Sequence, residues 1–182
     1  MNDTVSDVNI MLMVKDGDEN AFEELYEKYS SKILGFFYKL SFNKAVAEEC
    51  MQEVFFKLWK GRKKYEASGK FTTYLFQIAK NYWFTYSKHL SYKKRSSATD
   101  FNEIAADKVS ANNPEAAAVQ NELVERMQNA VKSLADDLRI PFILSRYEGF
   151  KYEEIGEILS LSPRTIEGKI REAAKILVKL VL

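Results

Sequence analysis

Apolar side chains recur at steps of three and four residues along most of this chain, which is the spacing that gathers them on one face of an α-helix. The run after residue 20 shows it clearly, with Phe22, Leu25, Tyr29 and Ile33 on one side. No stretch sustains the strict alternation typical of β-strands, and only three prolines interrupt the pattern. The spacing therefore predicts an all-α protein.

Glycines and clusters of polar residues break the pattern and indicate where helices end. In the first half of the chain they bound four helices: one ending near Lys15, one beginning at 18–20, one spanning about 44–60 and stopped by Gly61, and one spanning about 71–92. Helical pattern returns at Pro114 and continues to the end, with breaks at 148–149 and 160–163.

Residues 94–113, KRSSATDFNEIAADKVSANN, have a different composition from the rest of the chain. They are rich in Ser, Ala, Asn and Asp and hold few large apolar side chains, which is typical of a flexible linker. The chain is therefore predicted to form two small helical domains, residues 1–93 and 114–182, joined by a flexible linker.

The segment 152–177, YEEIGEILSLSPRTIEGKIREAAKIL, has the layout of a helix-turn-helix. Ser162 is a favourable N-cap for its second helix, and Pro163 occupies the first helical position, where its missing N–H costs nothing. The outer face of that helix offers donors that could reach base edges and phosphates of a DNA duplex. These donors are Arg164, Thr165, Lys169 and Arg171. A helical hairpin with a solvated outer face has the same spacing, and Glu167 and Glu172 suit it, so both interpretations stay open.

The composition of the chain argues against several classes of protein. Hydrophobic residues make up 46% of the chain and charged residues 29%, ordinary values for a soluble globular protein. No apolar run is long enough for a transmembrane helix, and the acidic N-terminus lacks the basic region of a secretory signal, so we expect a cytoplasmic protein. A single cysteine, Cys50, excludes an internal disulfide and a thiolate metal cluster. With one histidine (His89) and no glycine-rich phosphate loop, we expect no enzyme, no cofactor and no metal.

The net charge of +1 hides an uneven distribution. Residues 61–95 carry 9 basic and 1 acidic side chains, net +8, whereas residues 96–125 carry 1 basic and 6 acidic, net −5. A concentrated basic segment is the usual footprint of a polyanion-binding site. A solvated helix face with its partner charges elsewhere would give the same count.

Within that segment, residues 70–95 hold eight aromatic residues, six lysines or arginines and no acidic residue. Leu75, Ile78, Ala79 and Tyr82 follow helical spacing and are predicted to be buried. That stripe leaves a second set of rings only partly explained by core packing: Tyr65, Trp83, Phe84 and Tyr86. Rings interleaved with cations are what single-stranded DNA binding requires, although a crowded aromatic core with a basic outer face remains an alternative.

The segment 47–59, AEECMQEVFFKLW, has two faces. Its core face, by i, i+3, i+4 spacing, comprises Met51, Val54, Phe55 and Leu58. The other face holds Glu49, Gln52, Glu53 and Phe56. A large aromatic beside acidic and amide side chains suits docking of a basic protein, and a solvated amphipathic helix looks the same.

Together these segments resemble a bacterial RNA polymerase sigma factor of the extracytoplasmic-function (ECF) group, from about residue 12 to 180. The segment AEECMQEVFFKLW resembles the family's AED-LVQE-VF, and KFTTYLFQIAKN resembles F-x-x-W-L-x-x-I-A-x-N, with Tyr74 in the tryptophan position and Asn81 as the final asparagine. GDENAFEELYEKYSSKIL resembles the start of the family's first domain, and residues 133–177 resemble its second domain.

The resemblance implies a non-enzymatic subunit that binds core RNA polymerase and directs it to promoter DNA. The helix with Glu49, Gln52, Glu53 and Phe56 would dock on the polymerase β′ clamp helices. The first domain would capture the melted −10 strand and a flipped base, using residues at matching positions: Tyr65, Lys80, Asn81, Trp83 and Lys88. The second would read the −35 element with the helix-turn-helix residues. A regulator is implied as well, an anti-sigma factor of a kind that is often membrane-bound.

A stand-alone helix-turn-helix regulator is the alternative, and it would bind duplex without polymerase and need no single-strand platform at 65–92. Several residues depart from the family's pattern. Ala135 replaces a proline, and Gly156 replaces an alanine, which weakens a helix but permits close approach. Lys151 replaces a Ser or Thr cap worth about 1 kcal/mol. Glu167 and Glu172 fall where some members carry basic residues.

Overall fold

The computed structural model describes residues 6–96 and 114–181, and these residues form eight α-helices and no strand. The all-α prediction is confirmed. In chain order the helices are α1 (Asp7–Asp16), α2 (Glu19–Ser41), α3 (Lys44–Gly61), α4 (Phe71–Ser96), α5 (Pro114–Ser133), α6 (Asp136–Arg146), α7 (Tyr152–Leu159) and α8 (Pro163–Val181). A 3-10 turn, Arg62–Lys64, follows α3.

Side-chain caps explain why the first helices begin where they do. Asp18 Oδ1 accepts the backbone N–H groups of Asn20 and Ala21 at 2.9 and 3.1 Å, and Asn43 Oδ1 accepts that of Val46 at 3.1 Å. Each cap satisfies donors that a helix start would otherwise leave unpaired. Gly17 ends α1 with a φ of 102°, a conformation that glycine adopts without strain.

Helix α4 extends beyond the segment that the sequence predicts. It continues to Ser96, so residues 94–96, assigned to the linker, are helical. The reason is that KRSS contains no glycine or proline to stop the preceding helix. The rest of the predicted linker, 97–113, lies outside the described residues.

Helices α1 to α4 pack around an aromatic core. Phe36, Phe37 and Phe76 are fully buried, and the Phe36 ring meets Phe76 edge-on with centroids 5.3 Å apart. Of the stripe predicted on α4, Leu75 and Ala79 are buried, while Ile78 and Tyr82 are half-buried at its edge. Edge-to-face rings at this distance add to the stabilisation from burial alone.

Helices α5 to α8 form the second domain, in which α7 and α8 make the predicted helix-turn-helix. Ile166, Ile170, Ala173 and Leu177 place the buried side of α8 against its neighbours. Gly156 of α7 lies where the chain turns back, and a Cβ there would meet the Leu161 carbonyl oxygen at 2.6 Å. The close approach expected at this glycine is therefore present.

The two domains pack against each other and share a hydrophobic core. Ile140, Ile143, Ile155 and Ile158 of the second domain belong to the same buried cluster as the core of the first. Phe150, just before α7, is 7% exposed and meets Phe76 edge-on at 4.8 Å. Among the described helices none combines the length and apolar character needed to cross a membrane.

Candidate polymerase- and DNA-binding surfaces

The outer face of α3 carries the residues predicted to dock a protein partner. Glu49 and Gln52 are exposed, Glu53 is half-buried, and Phe56 is 56% exposed, the same value as Val178 and higher than other large apolar residues of the described chain. The opposite side, with Met51, Val54, Phe55 and Leu58, is buried as predicted. The helix thus combines a fully packed face with an aromatic and acidic face that the core does not use.

Beneath this surface, Cys50 is fully buried and free. Burial raises the pKa of its thiol to about 12, and the nearby carboxylates of Glu49 and Glu53 act in the same direction. The thiol therefore stays protonated at neutral pH, and it serves as a small apolar side chain in the core.

Tyr65 was predicted to present its ring to DNA, and the structure buries it. Only 1% of the residue is exposed, and its ring packs on Tyr74 with centroids 5.0 Å apart. Its carbonyl oxygen accepts a hydrogen bond from Lys15 Nζ at 2.8 Å, so backbone and side chain are both held. Tyr74, on which the Tyr65 ring packs, precedes Asn81 by about 10 Å along the axis of α4.

Trp83 was likewise predicted to contact the −10 strand, and the structure buries its ring. The residue is 5% exposed, packs near Phe37 and Tyr86, and donates its indole N–H to Asp136 Oδ2 of the second domain at 3.2 Å. The physical reason is helical spacing, because Leu75, Ala79 and Trp83 are four residues apart and share one buried stripe. That i, i+4, i+8 pattern was the signal in the sequence that could have revealed it.

Three of the residues predicted for the −10 element remain accessible on α4. Asn81 and Lys88 are exposed and, seven residues apart, lie on one face of the helix. Lys80 is half-buried, and burial lowers the pKa of its ammonium group. His89 is exposed next to Lys88. The structure therefore gathers an amide and two cations on α4, without the two rings.

The start of α8 is organised by its cap. Ser162 Oγ accepts the backbone N–H of Thr165 at 3.1 Å and lies 2.8 Å from the Thr165 hydroxyl, which confirms the predicted cap. Arg164 is exposed and forms no ion pair within the described part of the chain. Arg171 is exposed and pairs with Glu167 at 2.6 Å.

Lys169 departs from the predicted set of duplex contacts. Its Nζ lies 2.8 Å from Asp137 Oδ2 of α6, and only 24% of its side chain is exposed. Lys169 sits beside Ile166 and Ile170 in sequence and so falls at the edge of the buried stripe of α8. In this arrangement it ties α8 to α6.

An open groove of about 620 Å³ runs along the exposed start of α8. It is lined by Tyr152, Glu153, Arg164, Glu167, Gly168 and Arg171, together with Pro163. Sequence reasoning missed Tyr152 and Glu153, because periodicity within one helix does not reveal which residues of α7 face α8. No three His, Cys, Asp or Glu side chains of the described residues group as a metal site.

The similarity of this chain to known proteins decides between a sigma factor and a stand-alone helix-turn-helix regulator. The sigma-70 region 2 family model matches residues 25–91, and the sigma-70 region 4 model matches residues 125–177. The ECF RNA polymerase sigma factor SigW of Bacillus subtilis is 29% identical over 174 residues, covering 91% of each chain. This chain belongs to the ECF group of RNA polymerase sigma factors. The region 2 match includes α4, which a stand-alone helix-turn-helix regulator would not need.

Two further relatives of this sigma factor align along nearly the whole length. RNA polymerase sigma-H factor of Pseudomonas aeruginosa is 27% identical over 181 residues, covering 95% of this chain and 92% of the relative. ECF RNA polymerase sigma-E factor of Escherichia coli is 26% identical over 181 residues, covering 95% and 93%. The sigma factor therefore acts in transcription initiation as a non-enzymatic subunit.

Solved structures share the fold of the sigma factor. CnrH in complex with the cytosolic domain of CnrY aligns with a TM-score of 0.72, 18% identity and 96% coverage of both chains. RpoE in complex with the anti-sigma factor NepR from Bartonella quintana aligns with a TM-score of 0.72, 20% identity, and coverage of 88% of this chain and 96% of that one. The all-α, two-domain architecture is thus that of known sigma factors.

Proposed function

We propose that this sigma factor works in the cytoplasm, where it docks on core RNA polymerase through α3, holds the melted −10 strand on α4 and reads the −35 duplex with α8. The observation that carries the assignment is the outer face of α3. Phe56 is 56% exposed there beside Glu49 and Gln52, in a helix whose other face is fully packed. A large exposed aromatic with no packing role inside the protein is typical of the centre of a protein interface.

The carboxylates around Phe56 define the chemistry of the partner surface. Glu49 and Glu53 offer negative charge, and Gln52 adds a donor and an acceptor. A basic helix surface of the polymerase is complementary to this arrangement, and its charges would speed and orient the encounter. Phe56 would then supply the desolvated contact that holds the complex.

Capture of the −10 strand is assigned to the accessible side of α4. Residues 67–99 contain no Asp or Glu, so no carboxylate on this segment opposes the phosphate backbone. Lys80 and Lys88 would follow that backbone, and Asn81 would hydrogen-bond the edge of a flipped base. Because flipping costs a few kcal/mol of stacking, Asn81 has to supply contacts that exist only after the base has left the stack.

That Tyr65 and Trp83 contribute to −10 capture stays a prediction, but the roles proposed for them differ from those inferred from the sequence. Both rings are buried here, so direct stacking on DNA would require them to leave the core. Both residues can act without leaving the core if they position their neighbours. Tyr65 would fix the loop before α4, and Trp83 would anchor the middle of α4. Tyr65→Phe removes only the hydroxyl, whereas Tyr65→Ala would remove a buried ring at about 3 kcal/mol or more and confuse folding with function.

Recognition of the −35 duplex is assigned to the first turns of α8. Arg164 lies at the exposed start of the helix, where a recognition helix meets base edges. Arg164 and Arg171 both line the open groove, and Thr165 is exposed beside Arg164. Lys169 would contribute only after leaving Asp137. Each domain would make modest contacts, and joining them in one chain raises the effective concentration of the second after the first has bound.

An anti-sigma factor is proposed as the regulator. Of the two solved structures described above, RpoE is in complex with the anti-sigma factor NepR, and CnrH is in complex with the cytosolic domain of CnrY. For this sigma factor the partner would have to cover α3 or hold the two domains in an arrangement that excludes polymerase. The family resemblance implies a partner of a kind that is often membrane-bound.

The test is transcription from fragments of the organism's own genome with purified core polymerase, with and without the sigma factor. We expect new transcripts with defined 5′ ends that share −35 and −10 sequences, and Asn81→Ala should reduce their yield by lowering strand opening, followed by permanganate reactivity of unpaired thymines. His89→Ala, a neighbouring exposed residue, is the matched control. No specific initiation on any fragment would contradict the function, and tight duplex binding without polymerase would favour a stand-alone regulator.

A further inference from the structure

Gly168 lies within α8 although the fold does not require a glycine there. Its φ is not positive, and a Cβ at this position would meet nothing within 4 Å. Glycine is the least favourable residue inside a helix apart from proline. Gly156 differs, because there the Leu161 carbonyl oxygen leaves no room for a Cβ. The space above Gly168 is open, so any benefit of the missing side chain has to come from a ligand rather than from packing.

Gly168 lines the open groove at the start of α8. Three charged residues of the same helix line it as well: Arg164, Glu167 and Arg171. With Gly168 they are spaced three, one and three residues apart, which places all four on one helix face. A backbone without a side chain allows a ligand to approach closely. The glycine therefore removes bulk from the middle of a face whose other side chains are long and charged.

An ion pair spans the glycine. Arg171 Nη2 donates to Glu167 Oε1 at 2.6 Å, and the two side chains are 67% and 49% exposed. The guanidinium has five N–H donors and the carboxylate about four acceptor positions, and this contact uses one of each. Both groups can therefore bind a further partner while they stay paired. An exposed pair four residues apart stabilises a helix only slightly, so the fold depends little on it.

The pair is complementary to one kind of base pair in the major groove. A G·C pair presents the guanine N7 and O6 acceptors and, beside them, the cytosine N4 amino donor. O6 and N4 are hydrogen-bonded to each other at about 2.9 Å, close to the 2.6 Å between Arg171 Nη2 and Glu167 Oε1. An A·T pair places its N6 donor between two acceptors, so it cannot satisfy two guanidinium donors beside a carboxylate.

We propose that Gly168 and the Glu167–Arg171 pair read one G·C base pair of the −35 duplex. Gly168 lets the backbone of α8 come close to the base edges, Arg171 donates to guanine, and Glu167 accepts from the cytosine amino group. The proposal rests on the assignment of −35 recognition to α8 and adds the base pair that is read. Glu167 then contributes to sequence specificity although its charge weakens general attraction to phosphates.

Base preference is measured with a duplex library randomised over about 10 base pairs, one helical turn. The full-length protein binds the library with and without core polymerase, and the bound duplexes are sequenced. We expect the unmodified protein to select a G·C pair at one position. In Glu167→Gln its preference over A·T there should fall about tenfold, because glutamine pairs with adenine N6 and N7.

Glu172→Gln is the matched control. Glu172 is exposed on the same helix, does not line the groove, and loses the same charge on substitution. This variant should bind all sequences somewhat more tightly and keep the base preference at every position.

Two further measurements use the duplex that the unmodified protein enriches most. Replacing the selected guanine with 7-deazaguanine removes the N7 acceptor and should weaken binding on the order of fivefold. Arg171→Ala should bind the normal and the 7-deaza duplex equally. Gly168→Ala should weaken binding several-fold even though alanine is the better helix former. Thermal unfolding followed by circular dichroism verifies that this variant is folded.

The proposal is wrong if no single position of the library favours G·C, or if Glu167→Gln keeps that preference. It is also overturned if Glu172→Gln loses the preference equally, since charge alone would then set it, or if Gly168→Ala binds as tightly as the unmodified protein. The function is judged separately by transcription with core polymerase. Specific initiation without a G·C preference would refute only the base-pair assignment, whereas a G·C preference without initiation would refute only the function.

Discussion

Gly156 shows how a single residue sets the geometry of the helix-turn-helix. A Cβ at this position would meet the Leu161 carbonyl oxygen at 2.6 Å, and the obstructing atom is backbone that cannot rotate away. Glycine is unfavourable inside a helix by about 1 kcal/mol relative to alanine. Here the loss of helix propensity is offset by the close turn that it allows between α7 and α8.

Gly156→Ala is therefore predicted to destabilise the protein by about 1–3 kcal/mol, although alanine is the better helix former. Gly168→Ala is the matched control, because a Cβ on that helical glycine meets nothing within 4 Å. It should stabilise by about 0.5–1 kcal/mol. Urea unfolding followed by circular dichroism measures both. A stabilising Gly156→Ala would show that the turn adjusts at no cost.

At the scale of the helix, α8 depends on its N-cap more than α7 does. Ser162 accepts the N–H of Thr165, whereas α7 has a lysine at its cap position and relies on Glu154 reaching back to the Lys151 N–H. Ser162→Ala should cost about 1 kcal/mol of unfolding free energy. Ser162→Asp keeps an acceptor and should retain most of the stability. If both variants unfold at the same urea concentration, the cap contributes nothing measurable.

We expect one face of α3 to stabilise the fold and the opposite face to bind polymerase. Phe56→Ala is predicted to change stability by less than about 0.5 kcal/mol, because the ring is mostly exposed. It should weaken binding to core polymerase by about tenfold, the effect of losing a central interface contact. Met13→Ala on α1, which removes a side chain that is 47% exposed, is the control and should leave polymerase binding unchanged. Equal binding by both variants in a pull-down titration would show that Phe56 is not part of the interface.

At the scale of the whole molecule, Phe150 joins the two domains. Its ring is nearly buried, meets Phe76 edge-on, and lies 5.2 Å from Lys32 Nζ of α2. Lys39 of α2 adds an ion pair with Glu148 at 3.3 Å. These contacts involve residues more than 70 positions apart and fix how the helix-turn-helix sits on the first domain.

Phe150→Ala is predicted to loosen the domain contact and to increase the radius of gyration of the folded protein, measured by small-angle X-ray scattering. The lost burial corresponds to about 3 kcal/mol. Ile170→Ala, inside the second domain, should cost a similar amount because the residue is 2% exposed. It should leave the radius of gyration of the folded state unchanged. An unchanged radius in Phe150→Ala would mean that the remaining contacts hold the domains together.

The sequence by itself determined the helices and their inward faces. Periodicity and caps place the helix boundaries because both are local, depending on residues three or four apart. The family resemblance, carried by 47–59 and 70–81, identified the function that the comparisons confirm. The same local rule, applied to Leu75, Ala79 and Trp83, could have placed Trp83 on the buried stripe.

Only the tertiary structure decided which polar residues meet. Lys70 with Glu154, Trp83 with Asp136 and Lys169 with Asp137 are 84, 53 and 32 residues apart, so no local pattern encodes them. The burial of Tyr65 was also decided by the tertiary structure, because the burial of a loop residue depends on which helices pack over it. Pairings between residues far apart in the sequence arise from how separately patterned helices and domains fit together, and that fit depends on the shapes and charges of whole surfaces.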